Sequence, residues 1–521
     1  MAGDLLNTTD YWTNLQVTRQ DVEFLHNHLF DNETPLTARE LVAVLVAERI
    51  RAEKLASQKK RQANSKTYFP KESFQVGDEL VFPSLSWKRG TVKAERTGLN
   101  PEIGDFNVLT VELEDGSERF FASNLPLHAL NDLPVSTEED EVDPEDVLQA
   151  FGGIIEKKIE AAFKDDGQLV RIAGRWFPSA LLVDVNVGNL NLAEAVLDMS
   201  GGEPLPTSAL IKDVSLPEGV NPKLAEFSLN FALQEDERFD EVGPAGQVLW
   251  CLRRLEPAEV REAPLYLRYS RVVYDRSVLS DQMLKLEAQL DDELSEVEAK
   301  TDGNLNEVTI SLIYPHLRAG TLPISARVRS MFPTAYESPR VRFTLVDGKT
   351  KQKMPAWVVR EHGYVYGLRD WYKANELIPG SLVRIRRSEI PGEVIIEIKS
   401  YRAKDWVRTV IVGTDGGMVF AMLKQSISAE FNDRMSFAIP SYDTLDQLWK
   451  QDRKQPFEKQ VAEMIREMSK LTPQGHVHAQ ELYSAVNIVR RVPPGPLFAL
   501  LSSKPEFTHV GDLHFRLSGS E

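Results

Sequence analysis

Cysteine is almost missing from this chain. Cys251, in "VLWCLRR", is the single thiol among 521 residues, so an internal disulfide and a cysteine-built zinc site are both excluded. Its apolar flanks predict a buried thiol and a reducing compartment. Long hydrophobic runs are missing too: about 18 uninterrupted apolar residues occur nowhere. The opening "MAGDLLNTTDYWTNLQ" has no basic segment leading into an apolar one, so no secretory leader and no membrane partner are expected, and the chain reads as cytoplasmic. Positive charge is scarce, with 61 Lys and Arg against 78 Asp and Glu and a net charge of −17. That sum opposes a phosphate-bearing partner.

Signatures of catalysis are missing as well. There is no glycine-rich phosphate loop ending in Lys-Ser/Thr, no His-Glu-x-x-His and no Gly-x-Ser-x-Gly. "HNH" at His26–His28 falls on a helix without a metal-binding ββα context. Glu397-Ile398-Lys399 has the carboxylate-x-lysine spacing of a nuclease superfamily, whose Mg²⁺ would also need an acid such as Asp347 or Asp370. Strand alternation explains the same spacing without a metal, because it puts Ile395, Glu397 and Lys399 outward and Val394, Ile396 and Ile398 inward. His476 and His478 lack a third ligand. No enzyme, no cofactor and no metal are expected.

What is present is several domains' worth of ordinary globular sequence, roughly three to five at the usual ~100–200 residues each. Charge is unevenly distributed. "NDLPVSTEEDEVDPEDV", 131–147, is an acidic linker, whereas Arg318 to Arg408 holds 18 Lys and Arg against 9 Asp and Glu. One segment is basic inside an acidic protein.

The chain also repeats itself. "FALQEDERFDEVG" from Phe231 and "FALLSSKPEFTHVG" from Phe498 share a Phe-Ala-Leu opening and a Phe-x-x-Val-Gly close. Upstream of each stands Ala-Glu followed by Met-Ser: Ala193-Glu194 and Met199-Ser200, then Ala462-Glu463 and Met468-Ser469. A duplicated unit is the natural reading. In the second copy Val461, Met464, Ile465 and Met468 recur at helical spacing, Leu482, Val486 and Val489 mark a second helix, and Leu497, Leu500 and Leu501 a third. Pro493-Pro494 opens that third helix, Pro505 stops it, and Gly511-Asp512 separates two short alternating runs as in a hairpin. Three helices and a hairpin make a winged helix. The Phe-x-x-Val-Gly-(Asp)-x-x-x-Phe-x-Leu ending resembles the winged helices of the HARE type and of the bacterial RNA polymerase delta subunit.

In such a unit the third helix and the wing either contact DNA or bind protein. The second copy, 446–521, carries Arg490 and Arg491 before helix three, Lys504 after it, and His509, His514 and Arg516 on the wing. Those groups suit phosphate. The first copy, within a region of 148–275 with flanking strands, clusters Glu235, Asp236, Glu237, Asp240 and Glu241 there. Repulsion would keep phosphate away, so this copy is expected to bind a protein partner or to pack within the chain.

Residues 1–66 read as a helical hairpin whose second helix is opened by Thr37 with Glu40 three residues on, a capping box. Residues 67–130 alternate in short strands broken by Gly77-Asp78, Gly90, Gly104 and Asp115-Gly116, and resemble a small Tudor- or KOW-like β-barrel. Trp87, Lys88 and Arg89 are its candidate nucleic-acid surface, because an aromatic beside cations can stack on a base and meet phosphate. Residues 276–303 carry Leu279, Met283, Leu286, Leu290, Leu294 and Val297 at steps of three and four. They predict an amphipathic helix of about six turns that packs within the monomer or could pair two copies through 277–300.

The basic domain, 304–445, contains "GLRDWYKANELIPGSLVRIRRSEIPGEVIIEIKSYR". A short helix from Arg369 precedes a hairpin in which Arg384 and Arg386 share one face with Leu382, and Arg387 takes the other with Val383 and Ile385. The order Leu-x-x-Trp-(x)₃-Asn-x-Leu-x-x-Gly-x-x-(Val/Leu)-x-Ile resembles the C-terminal part of the plant auxin-response-factor-type pseudobarrel, which implies duplex-DNA contact from one barrel face. Arg369, Lys373, Arg384, Arg386 and Arg387 are then the candidate contacts. A structural barrel with solvated arginines is the other reading. Downstream, Asp415-Gly416-Gly417 marks one more β-hairpin.

Taken together, the sequence predicts an α+β multidomain protein of tandem winged helices with small β-barrels. It would bind rather than catalyse, as a DNA-binding, transcription-associated protein of prokaryotic style. A protein-interaction scaffold is the alternative, and a metal-dependent nuclease the third.

Overall fold

The computed structural model describes residues 9–62, 66–85, 88–100, 103–131, 143–164, 166–217, 219–297, 305–413, 417–450 and 455–519. Two compact units divide it: Met1–Arg171 with Arg175–Leu181, and Ile172–Gly174 with Leu182–Glu521. The architecture is α+β and multidomain, with six separate sheets among the described residues.

In the first unit the N-terminal helices do not form a hairpin of their own. Arg19–Asn32 and Ala38–Gln62 are joined by the much later helix Pro144–Lys164 and the strands Leu169–Ile172 and Arg175–Pro178. The two-residue strand Leu36–Thr37 pairs with the last of these, Leu36 opposite Trp176. Leu25, Leu29, Leu41, Val42, Leu45, Ile155, Ile159, Phe163 and Phe177 are buried in this unit. Thr18 caps the first helix on Asp21, which also takes a 2.6 Å ion pair from Arg49. Helix, strand, helix, helix, hairpin is again a winged helix, split by an insertion. That insertion is the five-stranded antiparallel and parallel sheet from Lys66 to Ser123, closed over Tyr68, Phe74, Phe82 and Phe121, with the last two rings 4.2 Å apart. Residues 132–142, most of the expected acidic linker, lie outside the described residues.

The second unit contains both copies of the sequence repeat, and they share one topology. In the first copy, helices Val187–Met199, Thr207–Leu210 and Pro222–Glu235 are followed by strands Phe239–Glu241 and Leu249–Leu252. In the second, Phe457–Ser469, Ala479–Val486 and Pro494–Ser503 are followed by Phe507–Gly511 and His514–Leu517. In each copy a two-residue strand before the second helix pairs with the last strand, Pro206 opposite Leu249 and Val477 opposite Phe515. The expected region 148–275 therefore straddles two winged helices, because its opening helix closes the unit before it.

Between the copies lies a seven-stranded half-barrel. Its spatial order is Glu307–Ser311, Leu382–Arg387, Glu393–Glu397, Arg340–Asp347, Lys353–Val359, Tyr364–Tyr366, Thr321–Pro323, with one parallel pair in the middle. The motif from Leu368 to Ile385 is mostly core: Leu368, Trp371, Leu377, Val383 and Ile385 are all buried. Gly380 in it has φ +91°, and a Cβ there would come within 2.7 Å of the Ser436 backbone. Glycine is required by that close approach.

Two expected elements differ. Where a helix is expected over 276–303, of which 298–303 lie outside the described residues, the residues to 297 form a short turn at Arg276–Val278 and a ten-residue helix, Asp281–Leu290, ended by Asp291 in the left-handed region. Its Met283 and Leu286, with Leu279, lie in the core of the C-terminal winged helix, so the face that would pair two copies is already covered. Strands Ser400–Val412 and Met418–Ala429 leave the half-barrel sheet and make a separate long ribbon. Val410 and Phe420 of the ribbon join the C-terminal core, so the boundary expected at 445 runs through a continuous packing unit. No helix among the described residues is long and apolar enough to cross a membrane.

Candidate nucleic-acid interface

Most of the expected contact residues are engaged inside the chain. Arg491 is fully buried and holds Asp292 through two bonds of 2.6 and 2.8 Å and Glu293 through one of 2.7 Å. It cannot reach a phosphate. The third helix that follows is buried along nearly its whole length, Pro494 to Ala499, and Gly495 lies against the Tyr274 ring. Such a helix cannot enter a groove, which corrects the expectation of DNA reading by helix three. Lys504 pairs with Glu458 at 2.8 Å. His509 and Arg516 are exposed on the wing, but His509 stands opposite Phe515 while Arg516 stands opposite Thr508, so they point to opposite faces.

Three of the candidate half-barrel arginines face carboxylates. Arg386 binds Glu397 at 2.9 Å, Arg384 lies 3.9 Å from Glu307, and Arg369 binds Glu259 at 3.1 Å. Arg387 donates to the carbonyls of Leu305 and Ser330. Lys373 is exposed. In the inserted sheet Lys88 binds Asp115 at 2.8 Å, Arg89 is exposed, and Trp87 lies outside the described residues.

The groups considered for catalysis are also engaged. Glu397 serves Arg386, while Lys399 binds Glu430 at 2.6 Å. Asp347 accepts from Trp371 Nε1 and from the backbone N–H groups of Lys349 and Thr350. His478 caps a helix by accepting from Gln480 N–H, and Arg434 lies 3.0 Å from its other ring nitrogen. Burial and that neighbouring cation push His478 down to about 4. The lone pair a metal would need is taken. Cys251 is buried as expected, and burial pushes its thiol up to about 11.

What the structure does present is the ribbon. Lys404, Trp406 and Arg408 alternate onto one face, opposite Ser426, Lys424 and Met422 on the partner strand. Arg408 is anchored, to the Asp433 carbonyl at 2.6 Å and to Glu481, which ties the ribbon to the C-terminal winged helix. Behind this face Val407 and Thr409 are buried. The outward face is different in kind: Trp406 is 61% exposed, and Lys404 and Lys424 are exposed with no carboxylate partner among the described residues. A bulge between Ser400 and Ala403 holds Arg402, exposed and at φ 46°, at the end of this strand. Bulges re-aim side chains and recur next to binding sites. An exposed indole beside Lys404 and Lys424 offers a π-face for a base and charges for its phosphates.

The sequence places a β-hairpin here at Asp415-Gly416-Gly417, of which Asp415 and Gly416 lie outside the described residues, and assigns it no contact residue. The alternation of "RAKDWVRT", with Trp among cations, was the available signal. The third winged helix was missed because an inserted sheet separates its second helix from its third. The hairpin signal was Ala173-Gly174, both at positive φ, as a two-residue turn requires.

Compared with protein-family models, with curated proteins and with solved structures, the chain finds no match.

Proposed function

We propose that this chain is a non-enzymatic nucleic-acid-binding protein that holds an unpaired stretch of nucleic acid on the ribbon Ser400–Val412/Met418–Ala429. The observation that carries this reading is Trp406, largely exposed, opposite Lys424 across the ribbon and two residues from Lys404 on the same face. Leaving a tryptophan 61% exposed forgoes burial of a large apolar surface, and exposed lysines with no carboxylate partner among the described residues suit a polyanion. The chain's net charge of −17 confines such binding to this local patch. The winged helices, on this reading, assemble the protein rather than read DNA.

Fluorescence anisotropy of labelled single-stranded and duplex oligonucleotides with the full chain tests it at low and moderate salt. Tighter binding of the single strand is expected, with Trp406→Ala weakening it by about 1–3 kcal/mol. Equal binding by wild type and Trp406→Ala, or none by either, overturns the proposal.

A further inference from the structure

Arg490 and Arg491 are adjacent in sequence and opposite in circumstance. Arg491 has two carboxylates; Arg490 has none among the described residues. Its guanidinium is half-buried, donates one bond of 3.3 Å to Gln460 Oε1 and stacks 5.4 Å over the Phe457 ring. Five N–H donors are thus largely unused in a partly desolvated place. Burial without a counter-charge also lowers the Arg490 pKa from its ordinary value.

The space in front of it is concave. A cleft of about 650 Å³ is lined by Arg490 and Gln460 together with Leu448, Trp449, Phe457 and Met464. Arg268 and Lys450 add positive charge to its lining, and Lys450 is exposed there. The acidic member of the lining, Glu463, accepts a 2.7 Å bond from Gln455. Trp449 Nε1 is satisfied by the Ile488 carbonyl, which fixes the indole as an apolar wall. Apolar walls beside several polar and cationic groups, in a cleft of this size, suit a small ligand with an apolar body and a negative charge.

We infer that this cleft is a binding site for a small organic oxyanion, a carboxylate or phosphate carried on a flat apolar body, with Arg490 as its anion-binding group. The guanidinium fork matches either oxyanion in a two-bond geometry, which an ammonium would not. The apolar body would lie among Trp449, Phe457 and Met464. The site is separate from the ribbon patch at Trp406 and holds whether or not that patch binds nucleic acid.

Isothermal titration calorimetry of the full chain with phenyl phosphate, benzoate, benzyl alcohol and inorganic phosphate is the test. Saturable binding of phenyl phosphate and benzoate is expected, with benzyl alcohol and inorganic phosphate each at least about tenfold weaker, since one lacks the charge and the other the apolar body. Arg490→Gln should weaken phenyl phosphate about tenfold or more, from the loss of charge-assisted bonds. Because Arg490 is half-buried, Lys450→Glu at the exposed rim provides a second variant, expected to weaken the same ligand; Trp406→Ala should leave it unchanged. Absence of saturable binding by phenyl phosphate and benzoate, binding indifferent to both variants, or inorganic phosphate binding as well as phenyl phosphate overturns the inference.

Discussion

Arg491 of the C-terminal winged helix and Asp292 of the segment after helix Asp281–Leu290 form a two-bond ion pair with neither side chain exposed to solvent. Around it stand Glu293, which reaches on to His316 Nε2 at 3.1 Å, the Tyr483 hydroxyl on Asp292, and the Asn487 amide oxygen. Burial opposes the charges on Arg491 and Glu293, yet their mutual attraction wins: Arg491 is held above and Glu293 well below its ordinary range. The network joins the C-terminal winged helix to the half-barrel helix Tyr314–Ala319, all within the second unit.

Removing the cation alone should be costly. Arg491→Met leaves two carboxylates buried without a counter-charge, and a loss of about 3–5 kcal/mol is expected. Urea denaturation followed by tryptophan fluorescence measures it, and oligonucleotide affinity of the folded variant should be unchanged. A shift in midpoint no larger than that of an exposed Arg516→Met control would contradict this account.

A second buried acid makes stability depend on pH. Glu256 has no hydrogen bond to either carboxylate oxygen among the described residues, stands 3.6 Å from Arg340 and shares that arginine with Asp240. Burial, with Asp240 adding repulsion and Arg340 and Arg253 opposing it, pushes Glu256 up to about 8, and burial pushes nearby Glu241 up to about 7. A raised carboxyl pKa means that the folded state keeps a proton that the unfolded chain releases. The stabilising effect is therefore full below the ordinary value of 4.5 and is lost as pH rises toward 8. Glu256→Gln should flatten this decline without abolishing it, since Glu241 contributes in the same direction. Denaturation midpoints of both proteins across that range decide the matter; parallel curves would rule it out.

Salt dependence separates the two basic surfaces. Lys404→Ala with Lys424→Ala should reduce the slope of log K against log salt by roughly 0.7 per contact for a single strand. Arg384→Ala with Arg386→Ala, whose charges already face Glu307 and Glu397, should leave it nearly unchanged. The reverse pattern would move the interface to the half-barrel.

Gly380→Ala probes the largely buried motif from Leu368 to Ile385. A side chain at φ +91° with backbone atoms of Ser436 at 2.7 Å is both strained and obstructed. The conformational part alone is about 1–2 kcal/mol, and thermal unfolding should show at least that loss. Gly392→Ala, with open space around its Cβ, is the comparison and should cost less.

Much of this protein was written locally. Helical spacing at Val461, Met464, Ile465 and Met468, the prolines before the third helix and the Val-Gly landmark sufficed to specify a winged helix twice, because caps, turns and periodicity act over a few residues. The alternation in Leu382–Arg387 likewise named its own inward and outward faces. What each surface then does was settled elsewhere in the chain. Val242 and Val510 occupy the same place in the repeat, yet Val242 is buried, its carbonyl accepting from Arg342 N–H at 2.8 Å, while Val510 is 42% exposed. The acidic wing beside Val242, with Asp240 on Arg340, is thus packed within the chain. Arg490 and Arg491 were indistinguishable as letters, and only the return of Asp292, some 199 positions away, buried one of them. Long-range contacts carry no local spacing by which to announce themselves. A charge's availability depends on which distant carboxylate the fold brings to it, and that is a property of tertiary structure alone.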